Sequence, residues 1–224
     1  LYTIIGFNKK SIFSSEASVK YYVLGAISSG FLLFGISLIY GLTGTLVLTE
    51  IFDFIKNIQT DTASLDLYNV GLIFSLTFIL VSLAFKFGAA PFHMWIPDVY
   101  HGALIPTTLL LSTLPKIAIF VVLIKLLSNA FSHLFVFWSE MILILSIISI
   151  LVGNIIAIAQ TNIKRMLAYS TIANIGFILI AISLGNQQSY QASMFYTVSY
   201  VIMTMAAFGV LLLITLDKKP IELI

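Results

Sequence analysis

Long apolar runs parted by short polar breaks set the organisation of the chain. A seven-residue run, LYTIIGF, opens it and is closed by Asn8, Lys9 and Lys10; it is too short to cross a bilayer, which takes roughly 20 residues of helix. Residues 17–40 form a first full span. Residues 41–67 turn polar and acidic, with Glu50, Asp53, Asp61 and Asp66 against Lys56. Within them Leu48, Ile51, Phe52, Ile55 and Ile58 recur at helical spacing, which predicts a short helix lying in the membrane interface. The next apolar stretch runs from Tyr68 to Tyr100, and as one straight helix it would measure about 50 Å, well beyond the hydrocarbon thickness. Gly88, Pro91 and Pro97 resolve the excess: a helix to Phe87, a break, then a half-helix PFHMWIPDVY. Further spans are expected at 104–127, 137–159, 166–184 and 190–216, before the tail DKKPIELI. No soluble domain interrupts this series. The expected fold is therefore an all-α polytopic bundle, one transmembrane domain over residues 1–224 with about six full spans plus a stub, one span (68–101) being broken.

Composition agrees. Charged residues make up only 9% of the 224 and apolar residues 60%, with a mean hydropathy of +1.09; soluble domains are about one-quarter charged. A disordered chain, a nucleic-acid binder and a water-soluble enzyme are excluded. There is no cysteine and there are three scattered histidines, so neither thiol chemistry nor a metal site is expected. Followed alternately from side to side, one face collects Lys9, Lys10, Lys164, Arg165, Lys218 and Lys219, the other Lys56 and Lys125. The positive-inside rule turns the first face toward the cytoplasm or matrix.

Two lysines stand where charge is costly. Lys86 ends sixteen mostly apolar residues just before the break, and Lys116 lies twelve residues into its span, about 18 Å along the axis. A lysine at the membrane centre costs on the order of 2.5–3.5 kcal/mol on insertion scales. Hydrocarbon surroundings favour a neutral amine, so such groups can trade protons. Ser75, Ser82 and Lys86 share one helical face and Thr108, Ser112 and Lys116 another, while Pro115 frees the carbonyl of Leu111. Hydroxyls and a free carbonyl beside an amine predict a place for water. Simple pairing of each lysine with a carboxylate is the plainer alternative. Glu16 and Lys20 stand one turn apart, the spacing of an ordinary i,i+4 pair. Lys125, Lys164 and Arg165 fall near helix ends, as topology anchors do. For His93, Asp98 and His101 a relay and a cap are equally open, and Trp95 and Trp138 read as packing or interface anchors.

The segment FKFGAAPFHMWIPDVYHGALIPTTLLLSTLPKIAIF resembles the signature of the antiporter-like subunits of respiratory complex I: a lysine, a short gap, then PFHxWxPDxYxGAxxPxTxxLxxxxKIAxF. SSEASVKYYVLGAISSGFLLFG and QTNIKRMLAYSTIANIGFILIAI agree, in order, with the N-type branch of that family. The resemblance implies a proton-translocating membrane-arm subunit of NADH:ubiquinone oxidoreductase, built from inverted repeats that each hold a broken helix. By motif, Lys86 matches the central lysine of the first broken helix and Lys116 the lysine of the next helix, which links two half-channels. Glu16, Lys20 and Lys164 match further charged positions of the polar axis, and His93 the histidine of the half-helix. NADH, flavin, iron–sulfur clusters and ubiquinone would all be held by other subunits, so this chain would carry no cofactor of its own. Its partners would be other membrane-arm subunits and lipids.

The chain also departs from the family pattern. Its LYTIIGF resembles only the end of the helix whose beginning carries the family's paired glutamate, and it stops before the second broken helix. A separate polypeptide supplying the missing helices and that glutamate is the expectation, with a longer parent chain as the alternative. A split subunit then suggests an unusual mitochondrial genome, with which abundant Phe, Ile, Ser and Tyr are compatible if it is AT-rich, and so the mitochondrial inner membrane ahead of a bacterial plasma membrane. A cation/proton antiporter or membrane hydrogenase subunit, and a structural subunit that does not pump, are the other functions carried forward.

Overall fold

The structure, a computed structural model, describes residues 2–7, 11–58 and 65–216. Lys9, Lys10, Asp61, Lys218 and Lys219 lie outside the described residues. In a bilayer the backbone must satisfy its own hydrogen bonds, and helices do this within a single segment. The described residues accordingly form α1 (Tyr2–Ile5), α2 (Ile12–Thr43), α3 (Leu48–Ile58), α4 (Leu65–Phe87), α5 (Trp95–Gly102), α6 (Ile105–Lys125), α7 (Phe135–Ile158), α8 (Ile163–Ser183) and α9 (Gln187–Leu216). Six of these segments are long and apolar enough to cross a membrane, and the chain is a multi-pass membrane protein. A π turn (Leu126–Ala130) and a 3-10 turn (Ser132–Leu134) join α6 to α7. The Ser11 hydroxyl caps the start of α2 and the Asn162 carbonyl oxygen that of α8, each satisfying amides that the helix itself leaves free.

Small residues decide how closely these helices approach. A Cβ added to Gly153 would lie 2.5 Å from the Ala173 nitrogen, and one on Gly176 would lie 2.6 Å from Ile150 Cγ1. The α7 and α8 backbones meet through these positions, as membrane helices do where side chains are absent. Between α2 and α4 the contact is polar as well as close. Ser28 Oγ and Ser82 Oγ are 3.1 Å apart, and Ser82 donates to the Ser28 carbonyl at 2.7 Å.

That contact corrects one expectation. Ser75 and Ser82 do share a face of α4, but Ser82 is spent on α2 and Ser75 donates to the Leu72 carbonyl of its own helix at 2.8 Å. On α6, Thr108 and Ser112 donate to Leu104 and Leu109 in the same way. These stripes glue helices and satisfy backbone rather than solvate an amine.

Two boundaries shift most, and one helix packs differently from expectation. α2 begins five residues before the expected span, because Ser11 offers a cap where the apolar pattern alone offers none. The half-helix starts at Trp95 instead of Pro91, residues 89–94 being mostly turns. α3 is present as expected, yet it does more than lie in the interface: it packs on the turns between α6 and α7, with Ile51 and Ile55 in the apolar core beside Leu127 and Ala130.

Candidate functional site: the broken helix and its lysines

The break between α4 and α5 leaves backbone groups without helical partners, and neighbouring helices supply them. Gly88, at φ +87°, turns the chain out of α4, and its amide and that of Ala89 both bond back to the Ala84 carbonyl. The Phe87 carbonyl would find its helical donor four residues on, but that residue is Pro91, which has no N–H. Lys116 fills the gap: its Nζ, carried by α6, donates to Phe87 O at 2.5 Å. The Phe85 carbonyl accepts from Trp95 Nε1 at 2.9 Å, and the Ala90 amide donates to Ser149 Oγ of α7 at 2.8 Å.

Lys116 is 1% exposed, so its amine depends wholly on this arrangement. It sits at the carbonyl end of α4, where the helix dipole is negative, and lies 5.0 Å from the centre of the Trp95 indole ring, whose face attracts cations. Gly88 leaves the room: a Cβ there would lie 3.2 Å from Lys116 Nζ. A buried amine with a carbonyl, a dipole and a π face around it can hold a proton without a carboxylate and can also release it.

A second cluster stands at the end of the bundle where α2, α5 and α8 meet. Asp98 of α5 pairs with Lys20 of α2 at 2.7 Å and with Arg165 of α8 at 3.1 Å, and Lys20 also pairs with Glu16 at 2.7 Å. Two acids and two bases thus form one line across three helices. Their side chains are 32–53% exposed, so each pair contributes modestly, about 0–1 kcal/mol. Lys164 donates to the Ala103 carbonyl at 3.1 Å, closing the end of α5.

The residues singled out from sequence therefore divide. Lys116 stands at the break itself. Lys86 is half-buried on the last turn of α4 and has no hydrogen bond or ion pair among the described residues. Glu16 and Lys20 join the end cluster, Lys164 lies beside it, and His93 lies in the turn before α5 with its Nδ1 buried near the Pro91 backbone and its ring 6.3 Å from that of Tyr169. Sequence reasoning left Asp98 between cap and relay and read Arg165 as an anchor; the structure makes Asp98 the centre of the charge line. Nothing in the sequence pattern marks Ser149. The end of α4 leaves the Ala90 amide without a helical acceptor, and nothing in the spacing of the sequence tells that α7 supplies one.

The family model described as NADH:quinone oxidoreductase/Mrp antiporter, TM, matches residues 1–224. The chain belongs to this family. Among relatives, subunit N of NADH-quinone oxidoreductase from Thioalkalivibrio sulfidiphilus is 48% identical over 96% of this chain and 44% of its own length. The subunit N of Ruthia magnifica is 44% identical over 100% and 45%. The chain spans less than half the length of these curated relatives. In the respiratory complex I of Thermus thermophilus, a chain 36% identical superposes with a TM-score of 0.74 over 94% of this one and 42% of that one. A chain of the Mrp complex from Dietzia, 23% identical, shares the fold with a TM-score of 0.77 over 88% of this chain and 35% of its own.

Proposed function

We propose that this chain is a proton-translocating part of the membrane arm of an NADH:quinone oxidoreductase, with the redox steps and their cofactors on other subunits. The observation that carries the reading is Lys116, a buried amine held at a helix break by a carbonyl instead of a carboxylate. Such a group can change charge without leaving a buried carboxylate unpaired, which is what a relay needs. Relatives named subunit N favour this over a cation/proton antiporter or a hydrogenase, whose fold is shared.

Lys86 is the loading site in this proposal. Lacking a partner among the described residues, it would pair with a carboxylate that those residues do not supply. Glu16, Lys20, His93 and Lys164 carry the same assignment more weakly, as members of the polar axis. The named relatives are bacterial, which supports a bacterial plasma membrane over the mitochondrial inner membrane expected from a split subunit.

The test is substitution of Lys86 and Lys116 by Met in the organism's own complex. Native gels report assembly, and vesicles report proton uptake per NADH oxidised. Normal assembly with proton uptake lost from both variants is expected. Normal uptake in an assembled Lys116→Met complex would overturn the proposal.

A further inference from the structure

The half-helix α5 packs along α2, and the two meet at successive turns of α5. At the end far from the break, a Cβ on Gly102 would fall 2.5 Å from the Phe13 carbonyl oxygen, so the backbones touch. One turn nearer the break, Asp98 pairs with Lys20 at 2.7 Å. At the break itself Trp95 stacks on Tyr21, with ring centres 4.7 Å apart and planes inclined by 29°.

That last contact stands next to Lys116. The indole is 2% exposed and the Lys116 amine lies 5.0 Å from its centre. The amine has no ion pair among the described residues. A ring attracts a cation over its face and within about 6 Å of its centre, so the tilt of the indole sets how well the ammonium is held.

The backbone alone leaves that tilt open. Trp95 is the first residue of α5, straight after the turns of residues 89–94, and Met94 before it gives the helix no side-chain cap. Its Nε1–H donates to the Phe85 carbonyl at 2.9 Å, but one hydrogen bond is a pivot about which a ring can still turn. Two other rings complete the hold. Phe85 is inclined at 33° with its centre 5.9 Å away, and Tyr21 is the closer, stacked one. Phe85 belongs to α4, the helix that breaks, whereas the half-buried Tyr21 comes from α2, which runs unbroken over Ile12–Thr43.

We propose that Tyr21 is a positioning residue of the relay: stacked on Trp95, it holds the indole over Lys116 and ties the keeping of that proton to the seating of α5 on α2. It acts through Trp95. The inference rests on the proposed proton-translocating role of Lys116. Plain packing would stack the same two rings, and the two roles part on pH dependence.

Tyr21→Leu removes the ring and Tyr21→Phe keeps it. In vesicles holding the assembled complex, proton uptake per NADH oxidised is followed against pH. A misplaced indole supports the ammonium less, so loading of Lys116 fails at lower pH. The alkaline limb of the Tyr21→Leu profile is expected about 0.4–1.5 pH units below that of the unaltered complex, and Tyr21→Phe is expected to restore it. Phe31→Leu is the packing control: Phe31 meets Phe78 with ring centres 5.7 Å apart, about 15 Å along α2 from Tyr21, and its loss should leave the limb in place. An unshifted Tyr21→Leu limb, or an equal shift in Tyr21→Phe or Phe31→Leu, overturns the positioning role. The proposed function then still stands if Lys116→Met abolishes uptake; if Lys116→Met pumps normally, both fall. Should Tyr21→Leu fail to assemble, a ring-fluorinated tryptophan placed at position 95 alone decides, since it keeps the shape and weakens the π face. The same downward shift supports the proposal, and an unchanged profile overturns it.

Discussion

Gly88→Ala is the sharpest structural perturbation the fold offers, because the cost separates into two parts. The first is the backbone: at φ +87° an L side chain is strained by about 1–3 kcal/mol. The second is space. The new Cβ would fall 2.0 Å from Ile96 Cδ1 and 3.2 Å from both Ile96 Cγ1 and Lys116 Nζ. A side-chain tip can usually swing aside, but Ile96 is 0% exposed, so the clash passes into the packed core and costs a further 1–3 kcal/mol or so. The sum is about 2–6 kcal/mol. Gly44→Ala supplies the control, since Gly44 has φ +73° and nothing within 4 Å of its added Cβ; only the backbone part applies, about 1–2 kcal/mol. Heating the detergent-solubilised complex and following native-gel integrity and NADH oxidation compares the two. Gly88→Ala should fall apart at clearly lower temperature than Gly44→Ala and should also impair proton uptake, because the same atom crowds Lys116. Equal thermal loss in the two variants would refute the reasoning that the break is a packed junction.

Ser149→Ala should destabilise by about 1–3 kcal/mol, since it strips the buried Ala90 amide of its acceptor; the same thermal assay reads it, and an unchanged transition would mean another group takes up the amide. Asp98→Asn should cost about 1 kcal/mol or less, because the side chains it pairs with are 40–43% exposed. The difference from the unaltered protein should shrink as salt rises, a trend that repeating the melt at low and high ionic strength checks.

Much of the architecture is legible in the one-dimensional pattern because a membrane leaves so few choices. Six runs of apolar residues specify six crossings, and Gly88 with Pro91 marks the break to within one residue of where α4 ends. What the pattern conceals is reciprocity between distant segments. Lys116 meets a carbonyl 29 residues away, and Asp98 joins bases 78 and 67 residues distant. Helical spacing tells which face a residue occupies on its own helix, but not what another helix brings opposite. The hydroxyl stripes show the same limit: Ser75 and Ser82 do share a face, yet that face meets α2 instead of water.

That reciprocity bears on how a proton and a shape change could be joined here. A continuous helix would satisfy its own carbonyls and be indifferent to the charge on Lys116. The break removes that independence, since the Phe87 carbonyl is answered by the lysine itself. As an ammonium, Lys116 makes a charge-assisted bond and sits favourably at the negative end of α4 and over the Trp95 ring; as a neutral amine it keeps only a weak donor and loses both attractions. Releasing the proton therefore loosens the hold of α6 on the junction, while Trp95 and Ser149 go on gripping the break through Phe85 and Ala90. One of three supports depends on protonation and two do not. A junction of that kind can shift when the lysine discharges without coming apart, and by the same linkage a displacement of α4 or α5 must alter how readily Lys116 gives up its proton.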